Sequence, residues 1–510
     1  MKDFELLPGR NCWRAERTNR FSLIIDAQDY FRALREVLID AHDQVLMIGW
    51  DFDFEIEMLP GESDEEGLAP DGLPNQIGPF FDALADRKPQ LDIYLLKWSG
   101  GALIAPGRLI PSLRIKLLSP DQVHLAFDGR HPIGACHHQK IVVVDDRLAF
   151  CGGIDVTDGR WDSRGHLPGD PRRKLKSGVE AQPWHDAAAV FDGAAAKAMG
   201  ELARMRWHRA NDEELPPARD PGVDLWPDSI RPDFADIGVG ISRTEPPGSD
   251  KPPIAEIETL YLDGIASARD AIYMESQYFS AGSIVRAIAA RLSERHGPEV
   301  VVINPRAAQG AVEDRAMHVI RSRAIRYLSR HDPHDRFRIL YPVNEAGEPI
   351  YVHAKLLIVD DRLLRVGSSN IDRRSMGFDT EADVSLVASR AEDRACIRRI
   401  RAGLIGEHLD QSPETVEAAL SRRGSMVRTI DALNERRGRG LKPVPRRRET
   451  LINRLFADTK LFDPRYRRSA RDRLGLTGRH LMIGAGVVGL TAGLLVFSRR
   501  GARADRNPQD

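Results

Sequence analysis

Apolar residues recur at helical spacing at Phe31, Leu34, Val37, Leu38 and Ala41 and lead into an apolar run from Val45 to Trp50. Ile257, Leu260, Ile265 and Ala268 lead into Ala271 to Met274 in the same way. The first part of each pattern predicts a helix with one buried face, and the second a strand buried on both faces. Runs of strand length follow at Leu91 to Leu96 and Val300 to Ile303, then a block of aliphatics in each half, Ile141 to Val144 and Leu356 to Val359. Strands alternating with helices predict an α/β fold, and repetition of the whole order predicts two similar lobes. Prolines punctuate the middle at Pro216-Pro217, Pro221, Pro246-Pro247 and Pro252-Pro253, so the boundary is expected near residue 230. The expected organisation is a lobe over 1–230, a second over 231–410, a helical and arginine-rich extension over 411–479, an apolar segment over 480–498 and a polar tail over 499–510. Within the extension, helices are expected over 414–422 and 425–434.

The two aliphatic blocks carry the same polar residues at the same offsets. One copy reads His138-Gln139-Lys140, the aliphatics, Asp145, then Gly152-Gly153-Ile154-Asp155; the other reads His353-Ala354-Lys355, the aliphatics, Asp360, then Gly367-Ser368-Ser369-Asn370. Residues two apart on a strand share a face, so each His–Lys pair forms a cationic shelf at the end of a buried strand. Glycine lets backbone approach a ligand closely, while serine and asparagine supply neutral hydrogen-bond donors. Gly152, Gly153, Ser368 and Asn370 are therefore candidate phosphate-binding or supporting positions, and two shelves would hold one phosphate. A single His-x-Lys on a strand is ordinarily an exposed pair. Its duplication at equal offsets favours a catalytic reading.

Bulk composition narrows the alternatives. A net charge of −1 and an apolar fraction of 42% describe an ordinary globular protein and lack the basicity expected of a nucleic-acid binder. Arginine is concentrated between Arg436 and Arg473, where either a contact with an anionic surface or a solvated face is expected. Cys12, Cys136, Cys151 and Cys396 form no CxxC pair, which favours a reducing compartment, and His131, His137 and His138 lack a second ligand pair at zinc spacing. No metal site and no cofactor are expected. The N-terminus lacks the apolar core of a signal peptide. Leu481 to Phe497 is uncharged; as a helix it would span about 25 Å against a hydrocarbon core of ~30 Å, a marginal transmembrane helix. Its GxGxxG from Gly484 to Gly489 has too little chain after it for a dinucleotide fold. The larger arginine group upstream favours a cytoplasmic catalytic body. A membrane-associated protein is thus expected, with a peripheral protein, or one secreted without a classical signal peptide, as the alternative.

The segment HHQKIVVVDDRLAFCGGIDVTDGRWD, His137 to Asp162, resembles the first HKD motif of the phospholipase D superfamily, in particular its eukaryotic-type branch. HAKLLIVDDRLLRVGSSNIDRRSM, His353 to Met376, resembles the second. Ile272 to Phe279 and Pro183-Trp184-His185-Asp186 are similar to further segments of that branch, and the resemblance spans roughly residues 20 to 400. It implies two mixed-sheet lobes packed about a pseudo-twofold axis with one shared active site. No separate calcium-binding lipid module or phosphoinositide-binding domain is evident before Phe21.

The chemistry follows from the residue types. A neutral imidazole attacks phosphorus to give a phosphohistidine, while a protonated imidazole opposite gives a proton to the departing alcohol. Lys140, Lys355 and the Asn370 amide would neutralise the non-bridging oxygens. The two copies are too alike for the pattern to assign the histidines; the resemblance implies His138 as nucleophile and His353 as general acid. Alignment of the repeats makes Asp186 and Glu381 the candidate acids that hold the histidine rings. Asp145 and Asp360 belong to the catalytic motif, with the alternative that they close the turn and pair with a neighbouring base. Asp155 replaces Asn370 in the first copy, so it is expected to point away from phosphate or to bind Arg160. The cations Arg164, Arg172, Arg173, Lys174 and Lys176 either rim the site or belong to a mobile solvated loop. The resemblance implies hydrolysis of a glycerophospholipid such as phosphatidylcholine to phosphatidic acid at a membrane surface, with transphosphatidylation as a side reaction. A cardiolipin synthase-like phosphatidyltransferase is the alternative, a nuclease the remote one, and a non-enzymatic scaffold is disfavoured by two intact motifs.

Overall fold

The computed structural model describes residues 3–101, 109–247, 252–434 and 438–446. The apolar segment over 480–498, the tail and most of the arginine-rich stretch lie outside these residues. Among the described residues no helix is long and apolar enough to cross a membrane.

The first half contributes strands β1 (Arg14–Ile25), β2 (Gln44–Gly49), β3 (Asp92–Trp98), β4 (Val123–Asp128), β5 (Ile141–Val144), β6 (Leu148–Gly152), β7 (Trp184–His185) and β8 (Ala187–Asp192). The second contributes β9 (Phe234–Glu245), β10 (Ile254–Ala255), β11 (Ala271–Glu275), β12 (Glu299–Ile303), β13 (Phe337–Val343), β14 (Tyr351–Val352), β15 (Leu356–Val359), β16 (Leu363–Gly367) and β17 (Glu381–Val387), with β18 (Gly440–Pro443) after it. All but β7 and β14 join one 16-stranded mixed sheet in the order β18-β13-β12-β11-β15-β16-β17-β9-β1-β8-β6-β5-β2-β3-β4, with β10 on β9. Read outward from the central pair β1 and β9, the two halves repeat the same strand order. β2-β3-β4 and β11-β12-β13 are parallel, and the inner strands are antiparallel. The halves meet in register from Arg14 opposite Ile241 to Phe21 opposite Phe234.

The aliphatic blocks explain why the halves cannot be separated cheaply. Val142 and Val144 of β5 point into a core with Phe31, Leu34 and Val37 of the helix Ala27–Asp40. Ile141 and Val143 point the other way, into a central core that also holds Leu356 and Ile358 of the second half. The helices Gly193–Asn211 and Ala391–Leu409 supply residues to that same core. Each fully buried aliphatic there is worth ~1.5–3 kcal/mol, so the shared core binds the halves into one body. The helices expected in the extension span Pro413–Arg423 and Met426–Leu433, with Ser412 and Ser425 accepting the Thr415 and Arg428 amides at their N-termini.

The turn after each aliphatic block is left-handed, with φ of 52° and 53° at Asp145 and Asp146 and 51° at both Asp360 and Asp361. Two successive positive φ values are the signature of a tight hairpin turn, and aspartate tolerates them. These turns close the ends of β5 and β15 remote from the His–Lys pairs.

Candidate active site

His138 and Lys140 immediately precede β5, and His353 and Lys355 precede β15. Both approaches are laid against the opposite half. The His138 amide donates to the Thr380 carbonyl at 2.9 Å, and the His353 amide donates to the His185 carbonyl at 2.8 Å. Tyr351 and Val352 pair in parallel with Trp184 and His185. The ring contacts cross over in the same sense: Nδ1 of His138 lies 2.8 Å from Glu381 Oε2, and Nδ1 of His353 lies 2.6 Å from Asp186 Oδ2. Each imidazole is therefore oriented by a carboxylate from the other half. With Nδ1–H donated to the carboxylate, Nε2 is the nitrogen left to react.

Glu381 is itself held. Ser368 Oγ donates to its Oε2 at 2.5 Å and Ser375 Oγ to its Oε1 at 2.6 Å. Burial opposes ionisation of this carboxyl, but the His138 ring and the two hydroxyls outweigh it and hold its pKa down to about 2. Asp186 is different: burial raises its pKa above the ordinary range, only partly countered by Lys355 and by the Ala187 amide at 2.9 Å. Burial, then Lys355 and Arg160, push His353 well below the ordinary histidine range. Burial likewise lowers the Lys355 ammonium to about 7, with Lys140 adding to the effect. Asp155 lies 3.1 Å from Lys140 and feels Arg160, His353 and His138 in turn, so all these groups converge on one locus. Trp184 walls it: its ring stacks on Tyr351 at 4.7 Å, leans on His353 at 5.1 Å and lies 4.1 Å beneath the Arg160 guanidinium. The His138 side chain is 15% exposed and that of His353 5%, so the opening lies over His138. A groove of about 660 Å³ lined in part by Pro183, Tyr351 and Arg306 runs beside that wall.

A family model described as "Cardiolipin synthase, PLD-like domain" matches residues 261–395, which contain the second motif. The chain is 24% identical over 433 residues to phospholipase D A of Dictyostelium discoideum, covering 72% of this chain and 32% of that protein. It is 24% identical over 400 residues to phospholipase D alpha 1 of Nicotiana tabacum, covering 55% of this chain and 49% of the relative. These matches support a phospholipase D superfamily member. The chain spans from about a third to half of the length of these relatives. Among solved structures, phosphatidylserine synthase of Haemophilus influenzae shares the fold, with a TM-score of 0.53 at 13% identity over 81% of this chain and 94% of that one.

Several motif residues stand elsewhere than the pattern suggests. Asp145 and Asp360 are not in the site. Asp145 accepts the amides of His42, Asp43 and Gln44, each at 2.8 Å, and Asp360 those of Arg269, Asp270 and Ala271 at 2.6–2.9 Å. Five residues of strand carry Asp145 about 16 Å from Lys140, and its partners are backbone amides, not a base. Asp145→Ala should therefore cost ~2–4 kcal/mol of stability, read from denaturant unfolding, and leave turnover per folded molecule intact. A loss of turnover in a variant of full stability would return this residue to the site.

Ser368 spends its hydroxyl on Glu381 and not on a ligand. Asn370 Oδ1, by contrast, is buried without a hydrogen-bond partner among the described residues. Asp155 does face the site, and its partner is Lys140; Arg160 is the more distant influence. Gly152 and Gly153 make room for protein and not for ligand: a Cβ on Gly152 would meet Ala188 Cα at 2.4 Å, and one on Gly153 would meet Asp186 Oδ1 at 2.2 Å. The loop over 160–176 is an ion-paired segment. Arg164 is on Glu407, Arg172 on Asp170, Arg173 is buried on Asp162, and Lys176 bridges Asp53 and Glu55, while Lys174 is exposed. Ser375 was not evident from the motifs. Its signal is its place shortly after the second tetrad, on the chain that returns toward Glu381.

Proposed function

We propose that the protein hydrolyses the distal phosphodiester of glycerophospholipids such as phosphatidylcholine, releasing phosphatidic acid and the headgroup through a phosphohistidine. The observation that carries this reading is the crossed pair of imidazoles, each held at Nδ1 by a carboxylate of the opposite half, with Lys355 and Lys140 close enough to act on His353 and on each other. A phosphate at that locus would lie between two Nε2 atoms, as in-line displacement with covalent catalysis requires. His138, beneath the opening, forms the bond to phosphorus while the P–O bond to the headgroup breaks, and His353 gives its proton to the leaving oxygen. Water, activated by the now neutral His353, then attacks phosphorus and frees His138.

Burial, with Lys355 and Arg160 nearby, favours the neutral form of His353 in the free site. Its acid form arises as the phosphate anion enters and offsets the charge of Lys355, Arg160 and Lys140, so substrate binding takes up a proton. Lys355 has a related consequence. Its cationic form binds the anion, so kcat/KM should fall as pH rises through about 7, and the limb in kcat should lie at higher pH because bound phosphate stabilises the ammonium. A kcat/KM that stays level from about pH 6 to about pH 9 contradicts this assignment.

A phosphatidyltransferase is the second reading, favoured by the description of the matching family model, in which a lipid hydroxyl replaces water in the second step. Purified protein offered phosphatidylcholine, phosphatidylglycerol and single-stranded DNA in parallel separates the readings. Headgroup release from phosphatidylcholine is expected. Cardiolipin and glycerol formed from phosphatidylglycerol with no choline released from phosphatidylcholine would favour the transferase, and nucleotide release alone would reject a lipid substrate.

A further inference from the structure

A second cluster of titratable groups lies directly behind the histidine pair, and the phosphodiester chemistry does not use it. His185 precedes Asp186, and its carbonyl accepts the amides of His353 at 2.8 Å and Ala354 at 3.2 Å. Its ring turns into the core. There Nδ1 of His185 lies 3.2 Å from Asp26 Oδ1 and 2.9 Å from Glu407 Oε1. Nε2 of His166 lies 3.4 Å from Asp26 Oδ2 and 3.4 Å from the same Glu407 Oε1. The four side chains come from the end of β1, the loop after the first motif, β7 and the helix Ala391–Leu409, and all are more than nine-tenths buried.

The far nitrogen of each ring is held by a carboxylate outside this group. Nε2 of His185 lies 2.7 Å from Glu275 Oε2, and Nδ1 of His166 lies 3.0 Å from Asp162 Oδ2. Those carboxylates are fixed in turn, Glu275 by the Tyr273 hydroxyl at 2.5 Å and Asp162 by Arg173 at 3.0 Å. One nitrogen out to a carboxylate and the other in to a common centre is how imidazoles are held when they ligate a metal.

We propose that Asp26, His166, His185 and Glu407 bind one divalent transition-metal ion, with zinc the best match to the set. Metal–ligand distances of ~2.0–2.2 Å in a tetrahedron require ligand atoms ~3.3–3.6 Å apart; the four histidine-to-carboxylate separations are 2.9–3.4 Å, and one ligand atom from each residue can be chosen so that all lie within 4.8 Å of one another. Two imidazoliums would supply the same charge, but they would aim N–H groups at the carboxylates. Nε2 of His166 does reach Glu407 Oε1 in a long hydrogen bond of 3.4 Å, but Nδ1 of His185 has no hydrogen-bond partner despite two oxygens near 3 Å, and Asp26 Oδ2 has none either; the His185 nitrogen points between its acceptors.

The ion would act by position, not on substrate. Asp26 Oδ1 accepts the Asp186 amide at 2.9 Å and the Asp26 amide donates to the Asp186 carbonyl at 2.9 Å, so an ion on Asp26 and His185 would pin the segment that orients His353. Through Glu407 it would also tie the first half to the second.

The test uses the full chain expressed with zinc in the medium and desalted without chelator. Elemental analysis is expected to find about one zinc ion per chain, and chelation to lower the thermal midpoint by several degrees, restored by zinc chloride. Cobalt(II) added to chelator-treated protein is expected to give the visible bands of a four-coordinate ion. His166→Gln and Glu407→Gln, checked for folding by circular dichroism, should each lose the metal. Substoichiometric metal in the wild-type protein after reconstitution, with an unmoved midpoint, overturns the proposal. So does stoichiometric zinc in both variants. None of these readings needs the protein to be catalytically active.

Discussion

His138→Ala and His353→Ala should each lower phosphodiester turnover by at least ~10²–10⁴-fold, the His138 change by more, with KM for the lipid changed far less. The reason is the division of labour at one phosphorus. Without the nucleophile no covalent intermediate forms; without the acid, the alkoxide must leave unprotonated. Because the His353 ring is nearly enclosed and in tilted contact with Trp184, its removal also leaves a void, so folded protein must be quantified by circular dichroism before rates are compared. The double replacement should be scarcely slower than His138→Ala alone, as residues acting in one step are not additive. Near-normal turnover in either single variant contradicts the scheme.

Glu381→Gln and Asp186→Asn should produce the next largest losses, on the order of 10²–10⁴-fold in kcat, although neither touches the substrate. Glutamine at 381 removes the charge that favours an Nδ1–H tautomer on His138 and lets an amide N–H face the ring instead. The crossed geometry makes a sharper expectation. Glu381, from the second half, should be coupled to His138, and Asp186, from the first half, to His353. In double-mutant cycles, Glu381→Gln should add little to His138→Ala, and Asp186→Asn little to His353→Ala. Full additivity within either pair would mean that the carboxylate acts independently of its ring. The pairs are expected to differ in pH dependence as well, because Glu381 is held ionised to about pH 2 whereas burial raises Asp186.

Much of this was legible before any coordinates. The apolar runs that became β2, β5, β11, β12 and β15 are strands buried on both faces, and such runs announce themselves by composition alone. The central strand β1 does not: Arg14 to Arg20 is almost entirely polar, and its pairing with β9 comes from position in the sheet and not from hydrophobic pattern. Asp186 and Glu381 emerged by aligning the repeats. Which acid serves which histidine could not, because an exchange between halves is a tertiary fact that two identical local patterns cannot encode. The motif aspartates admit two readings from sequence, catalytic or turn-closing, and the structure bears out the second with backbone amides in place of a base: a residue repeated with the catalytic ones can be repeated because both hairpins need the same anchor, as Asp145 and Asp360 do. Asp26, His166 and Glu407 lie far apart in the chain at no metal-ligand spacing, so only the fold brings them to His185.

Quenching in denaturant at neutral to mildly alkaline pH during turnover of a phospholipid labelled in its diacylglycerol moiety, followed by peptide mapping at that pH, tests the central claim most directly. The label is expected as a phosphoramidate on the His138 peptide, absent in His138→Ala. Label on the His353 peptide instead would reverse the two roles. Turnover with no label trapped on either histidine, under conditions that preserve a phosphoramidate, would contradict covalent catalysis at this pair.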